Sequence, residues 1–181
     1  MIKFAKVKRF ENEDLNLPIR KTAHSAGYDF EVAEDIIIPP YSANNKLLLE
    51  FINKIPKTPD LKEVARMTKE TGARPTLVPT GIKCYLDEGY YLELSMRSST
   101  PLKYWLVMAN SVGIIDADYA ENPDNEGEIF FQVINFGPTK IKLHKGDVIG
   151  QGIIKKYEVT DDDKAEGIST GGFGSTSKKE N

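Results

Sequence analysis

Apolar and polar residues alternate with period two along most of the chain. Leu92, Leu94 and Met96 alternate with Tyr91, Glu93 and Ser95, and Ile141 and Leu143 with Lys140, Lys142 and His144. This is the spacing of strands that bury one face. Residues 128–136 form a β-branched and aromatic run that stops at Gly137-Pro138, and Lys145-Gly146-Asp147 separates two further strand-like runs as a turn does. Many short strands with frequent turn signals predict an all-β barrel or sandwich.

The period changes between the strand-like segments 35–39 and 77–82. From residue 44 to about 55, Leu48, Phe51, Ile52 and Ile55 fall at helical spacing, and a second run follows Pro56 and Pro59. There Asp60 is suited to cap a helix, with Glu63 answering it as a capping box, Leu61, Val64 and Met67 on one face, and Gly72 as the stop. Two short helices, about 43–76, are therefore predicted as an insertion that projects from the barrel and returns near where it left, either covering a barrel edge or meeting a regulatory protein. A third pattern begins at Thr160. Asp161-Asp162-Asp163 leads into Gly171-Gly172-Phe173-Gly174-Ser175-Thr176, which packs no core. About 160–181 is predicted to be a flexible arm, in which the lone aromatic Phe173 is suited to stack on a base or sugar while glycine N–H groups approach phosphates.

At 181 residues, with 40% hydrophobic, the chain fits one domain spanning 1–181. Lys and Arg number 24 against 27 Asp and Glu, a net charge of −3, so the basic field needed to coat a nucleic-acid polymer is missing. The single cysteine, Cys84, excludes an intrachain disulfide and a Cys-rich zinc site and points to a reducing, cytoplasmic setting. No apolar stretch approaches the roughly 18 residues of a membrane span.

Familiar catalytic systems are weakly represented. His24 and His144 belong to no HExxH or Ser-His-Asp pattern and read as surface residues, Cys84 reads as a small buried residue, and no Walker-type phosphate loop is present. What remains is carboxylates and small polar groups at turns. Asp29 follows Gly27, and Arg97-Ser98-Ser99 offers a bidentate cation beside hydroxyls. Ile114-Ile115 runs into Asp116-Ala117-Asp118-Tyr119, so a carboxylate must leave an apolar face at a strand end. Gln151 sits between Gly150 and Gly152, which are expected to let a ligand approach the backbone.

Together these residues resemble the homotrimeric deoxyuridine triphosphatase (dUTPase) family, in a phage- or Gram-positive-like form. Five segments resemble its five motifs in order: 26–29 (Ala-Gly-Tyr-Asp), 97–99 (Arg-Ser-Ser), 110–119, 146–151 and 171–176. The helical insert lies outside the resemblance, and the loop 120–125 lengthens the third motif. The resemblance implies a distorted jelly-roll β-barrel that trimerises, with active sites at subunit boundaries and the arm of another subunit closing each one. The implied reaction is Mg2+-assisted water attack on the α-phosphorus of dUTP, which releases dUMP and pyrophosphate, removes dUTP and supplies dUMP for thymidylate synthesis. By the same resemblance Asp116 is the general base that also binds the 3′-hydroxyl. Asn110 and the hairpin backbone of Gly113, Ile114 and Ile115 read uracil, and Tyr119 packs under the deoxyribose. Arg97, Ser98, Ser99 and Gln151 meet phosphates or their waters, and Asp29 orders Mg2+ through water. Phe173 stacks on uracil, and Phe130, Gly174 and Ser175 complete the substrate-binding set. The arm Arg of the family is replaced by Ile168 and Ser169, with Lys164 or Lys178 as substitutes, and Gly150, where many members carry Ala, is expected to be neutral. Two alternatives stand beside this reading. One is a relative of the dCTP deaminases, although Gln132 replaces the Glu those enzymes use. The other is a dUTPase-like binding module acting through the insert.

Overall fold

The structure, a computed structural model, describes residues 1–52 and 58–167. Strands β1 (Lys3–Lys6), β2 (Tyr28–Glu31) and β3 (Ile36–Ile38) precede helices α1 (Tyr41–Ile52) and α2 (Leu61–Thr71). Strands β4 (Thr76–Pro79), β5 (Ile82–Tyr85) and β6 (Tyr90–Met96) lead into α3 (Ser99–Tyr104). The described chain closes with β7 (Leu106–Met108), β8 (Gly113–Ile115), β9 (Phe130–Asn135), β10 (Ile141–Leu143) and β11 (Val148–Lys156).

The strands pair antiparallel in four small sheets, ordered β1-β5, β3-β10, β2-β11-β6-β8 and β4-β9-β7. Consecutive strands often join different sheets: β4 and β5 part company at Gly81, whose φ of 67° makes a turn that suits glycine. Such switching wraps the sheets around one core, in which Phe30, Leu92, Leu94, Phe131 and Ile149 are almost wholly buried. Phe4 stands edge-on to Phe30 at 5.5 Å, and Phe30 meets Phe131 at 5.9 Å. The alternation read from the sequence is realised, with Leu92 and Leu94 inward and Tyr91, Glu93 and Ser95 on the other face. The result is an all-β barrel with a helical insertion.

That insertion leaves and returns on one strand. Pro40 bridges Asn135, and Thr76 pairs with Val133, two positions away on β9. As predicted, the Asp60 side chain caps α2 by accepting from the Glu63 N–H at 2.9 Å, and Gly72 ends it in the left-handed region. The reciprocal half of the capping box does not form. Both Glu63 oxygens turn to Arg66, at 3.1 and 2.6 Å, because a guanidinium one turn away offers two charged donors where the backbone offers one neutral donor. The helical run also begins three residues earlier than its apolar spacing suggested, at Tyr41. Ile55 and Pro56 lie outside the described residues, as does the arm beyond residue 167.

Candidate active site

Three neighbouring strands set the first part of the site. Alternation along β2 sends Phe30 into the core and Asp29 to the opposite face. The ladder then aligns Asp29 with Gln151 on β11, and Gln151 with Ser95 on β6, where the Gln151 amide donates to the Ser95 hydroxyl at 3.4 Å. Gly27 is small because Gln151 fills its space: a Cβ there would meet Gln151 Oε1 at 2.4 Å. Arg97, just beyond β6, brings its Nε to 3.6 Å from Asp29 Oδ1. The other oxygen, Oδ2, is buried with no hydrogen-bond partner. A buried carboxylate that is half satisfied is costly unless something cationic or hydrogen-bearing meets it.

The chain then turns into α3. Ser98 stands at its N-cap with the hydroxyl not engaged as a cap, Ser99 is its first residue, and the Thr100 N–H is already taken by the Arg97 carbonyl at 2.9 Å. A cavity of about 370 Å3 opens here, lined by Arg97, Ser99, Tyr104, Lys142 and Asp147 among others. Among the described residues no group of three or more His, Cys, Asp or Glu side chains converges to hold a metal.

Two sequence expectations are corrected on β11. Gly150 and Gly152 do not open the backbone to a ligand: a Cβ at Gly150 would lie 2.2 Å from Phe131 Cε1, and one at Gly152 would lie 2.8 Å from Phe30 Cε2. Period two sends both inward on either side of the outward Gln151, so their smallness serves core packing. Alanine at Gly150 is accordingly not a neutral change in this chain.

The second part of the site lies across the sheet. β8 is the far edge strand of β2-β11-β6-β8, so the outer backbone groups of Gly113–Ile115 are left without a ladder partner, and Ile114 is half exposed. The expected hairpin is a corner instead: β7 pairs with β9 and β8 with β6, and the turn between them carries Asn110, whose carbonyl accepts from the Val112 N–H at 2.6 Å. Ser111 there adopts a φ of 61°. Asp116 follows directly, solvent-facing at the N-cap of the 3-10 turn Ala117–Tyr119. Partial loss of hydration, and then the neighbouring Asp118 charge, raise its pKa above the ordinary carboxylate value. Tyr119 is half-buried and its hydroxyl is held on both sides, by the Asn125 amide at 2.7 Å and the Glu128 carbonyl at 3.2 Å. Phe130 opens β9 opposite Pro79 and alternates with the buried Phe131.

Three strand spacings separate β2 from β8, about 14 Å across the sheet. The structure therefore unites Asp29, Arg97 and Gln151 with Ser98 and Ser99 close by, but sets Asn110, Gly113, Ile114, Ile115, Asp116 and Tyr119 at the opposite edge. Phe173, Gly174, Ser175, Ile168, Ser169 and Lys178 lie outside the described residues. Ser95 and Asn125 were missed from sequence. The outward phase of β6 marks Ser95, whereas nothing local links Asn125 to Tyr119. His24 and His144 are exposed as expected, and Cys84 is buried, with loss of solvation pushing its thiol pKa up to about 12.

An antiparallel barrel that presents a carboxylate with a raised pKa at one edge and a cation, hydroxyls and an amide at the other carries groups suited to hydrolysis of a small anionic substrate. Comparison with known proteins makes the class specific. A model of the dUTPase family matches residues 59–177. The deoxyuridine 5'-triphosphate nucleotidohydrolase of Lactococcus lactis is 37% identical over 175 residues, spanning 96% of this chain and 95% of that one. A Streptococcus mutans dUTPase crystal structure superposes with a TM-score of 0.66 at 35% identity, over 87% of this chain and 98% of its own. The dUTPase of Staphylococcus aureus phage phi11 shares the fold, with a TM-score of 0.60 at 16% identity over 94% and 99% of the two chains. The chain belongs to the dUTPase family, and is a hydrolase of nucleotide metabolism. No helix among the described residues is long and apolar enough to cross a membrane.

Proposed function

We propose that this enzyme hydrolyses dUTP to dUMP and pyrophosphate by attack of water on the α-phosphorus. The observation that carries the reading is the Asp29 carboxylate, buried against Arg97 and in register with Gln151, with one oxygen unpartnered. A buried carboxylate oxygen without a hydrogen-bond partner, where among the described residues no three His, Cys, Asp or Glu side chains converge, suits Mg2+, which keeps its waters and shares its remaining positions with substrate phosphates. When bound, the ion supplies neutralisation of triphosphate charge. Asp29 would hold it through water, while Arg97, Ser98, Ser99 and Gln151 bind and orient the phosphate oxygens.

Asp116 takes the proton of the attacking water as the new oxygen–phosphorus bond forms, and the bond to the bridging oxygen breaks with its electron pair leaving on pyrophosphate. Its raised pKa favours that role, since a carboxylate near its ordinary value is a weak base. The open edge of β8 offers a row of backbone donors and acceptors to a planar base, with Asn110 beside it, and Tyr119 forms a wall for the sugar. Because the two groups sit about 14 Å apart on one sheet, each site takes its Asp29–Arg97–Gln151 group from one subunit and its 110–119 segment from another, in a homotrimer. The arm carrying Phe173, Gly174 and Ser175 completes it.

The test is pyrophosphate release from dUTP with Mg2+, run beside Asp116→Asn. Removing a positioned base costs about 10²- to 10⁴-fold. Activity that persists unchanged in the variant overturns the assignment of the base, and a parent chain inert toward dUTP overturns the reaction.

A further inference from the structure

Tyr119 is fastened from behind by the loop that lengthens its motif. Its hydroxyl accepts from Asn125 Nδ2 at 2.7 Å and donates to the Glu128 carbonyl at 3.2 Å, so the ring cannot swing away without breaking two bonds. Asn125 is fixed in turn, its Oδ1 accepting from the Gly127 N–H at 3.0 Å and its carbonyl from the Glu128 N–H at 3.0 Å. The loop doubles back tightly at Gly127, where φ is 77° and a Cβ would meet the Tyr119 carbonyl oxygen at 2.5 Å.

Three acidic residues then bolt this loop to the barrel wall. Glu121 meets Lys83 Nζ at 2.5 Å and also the Tyr85 hydroxyl. Glu126 accepts from the Lys8 N–H at 2.8 Å and pairs with the Lys8 ammonium at 3.3 Å. Glu128, buried, accepts from the Gly81 N–H at 3.0 Å and from Arg9 at 3.1 Å. All three anchors reach residues 8–9 and 81–85, none of which belongs to the site described above. The loop is thus braced against β5 and the turn at Lys8–Phe10, on the barrel wall.

We propose that the loop 120–128 is a strap that stiffens the Tyr119 wall, with Asn125 as its positioning residue, and that this stiffness sets discrimination against ribonucleotides. The inference rests on the proposed placement of Tyr119 beneath the sugar. A wall that rejects one added hydroxyl by steric exclusion works only as far as it does not yield, and a ring pinned at its far end yields least. Cutting the Asn125–Tyr119 link lets the ring retreat and admits the 2′-hydroxyl.

The experiment measures kcat/KM for dUTP and for UTP with Mg2+ in the parent, Asn125→Ala, Tyr119→Phe and the double variant. The dUTP-to-UTP ratio is expected to fall about tenfold in Asn125→Ala. It should fall at least as far in Tyr119→Phe, which also loses the bond to the Glu128 carbonyl, and no further in the double variant than in Tyr119→Phe alone, because the Asn125 link is already severed there. A merely structural role for Asn125 would lower both substrates together and combine multiplicatively with Tyr119→Phe. If Asn125→Ala fails to fold, Asn125→Ser keeps a short side-chain acceptor for the Gly127 N–H, is too short to reach the Tyr119 hydroxyl, and is expected to lower the ratio as well. A ratio within twofold of the parent in a folded Asn125 variant overturns the strap while leaving the proposed reaction intact, provided the parent turns over dUTP and Asp116→Asn does not. A parent inert toward dUTP overturns both.

Discussion

Gly150→Ala is the most direct probe of how the barrel and the site share β11. Gly150 is buried, in register with Phe30 on β2 and Met96 on β6. An added methyl would lie 2.2 Å from Phe131 Cε1, 2.8 Å from Phe131 Cζ and 2.7 Å from the Ser95 carbonyl oxygen. Contacts under 3 Å cannot persist, and neither neighbour is a flexible chain end: Phe131 is fully buried against Phe30, and Ser95 belongs to the ladder. Overpacking of this kind costs about 1–3 kcal/mol. At about 2–4 °C per kcal/mol for a chain of this size, a central cost of about 2 kcal/mol lowers Tm by roughly 4–8 °C. Thermal unfolding followed by circular dichroism at one fixed protein concentration measures this. Repeating it in a Phe131→Leu background, which removes the two ring atoms in the way, should shrink the penalty of Gly150→Ala. A Tm within about 1 °C of the parent, or a penalty undiminished by Phe131→Leu, would refute the packing argument.

Other consequences are open to simple measurements. Asp116 must be deprotonated to act as base, so activity falls as pH drops through its pKa; with that pKa raised, the acid limb of kcat/KM should lie above the ~3.9 of an unperturbed Asp. Asp118→Asn, which removes the neighbouring charge, should move that limb to lower pH, and an unmoved limb would contradict the cause given. Cys84, buried with a thiol pKa pushed up to about 12, should consume no aromatic disulfide reagent at pH 8 in the native protein and one equivalent after unfolding. Asp60→Ala removes the N-cap of α2 and should weaken local amide protection in that helix by about 0.5–2 kcal/mol in hydrogen exchange while turnover of dUTP is retained.

Much of this was written in the order of the residues. Period-two alternation placed Leu92 and Leu94 inside and Ser95 outside, and Asp60 and Gly72 marked the ends of α2, because side-chain phase and cap chemistry are settled within a few residues. The candidate residues were legible because they fall in five short segments, whose order along the chain made the family recognisable. Tertiary structure decided what local pattern leaves open. Which strands pair, and in what register, brought Asp29 to Gln151 and Arg97 while leaving Asp116 at the far edge of the same sheet. Side-chain competition turned Glu63 from its expected partner to Arg66, and the core, rather than a ligand, claimed the space beside Gly150 and Gly152. The brace behind Tyr119 joins Glu126 to Lys8 across 118 positions of sequence, a contact that exists only once the barrel has closed.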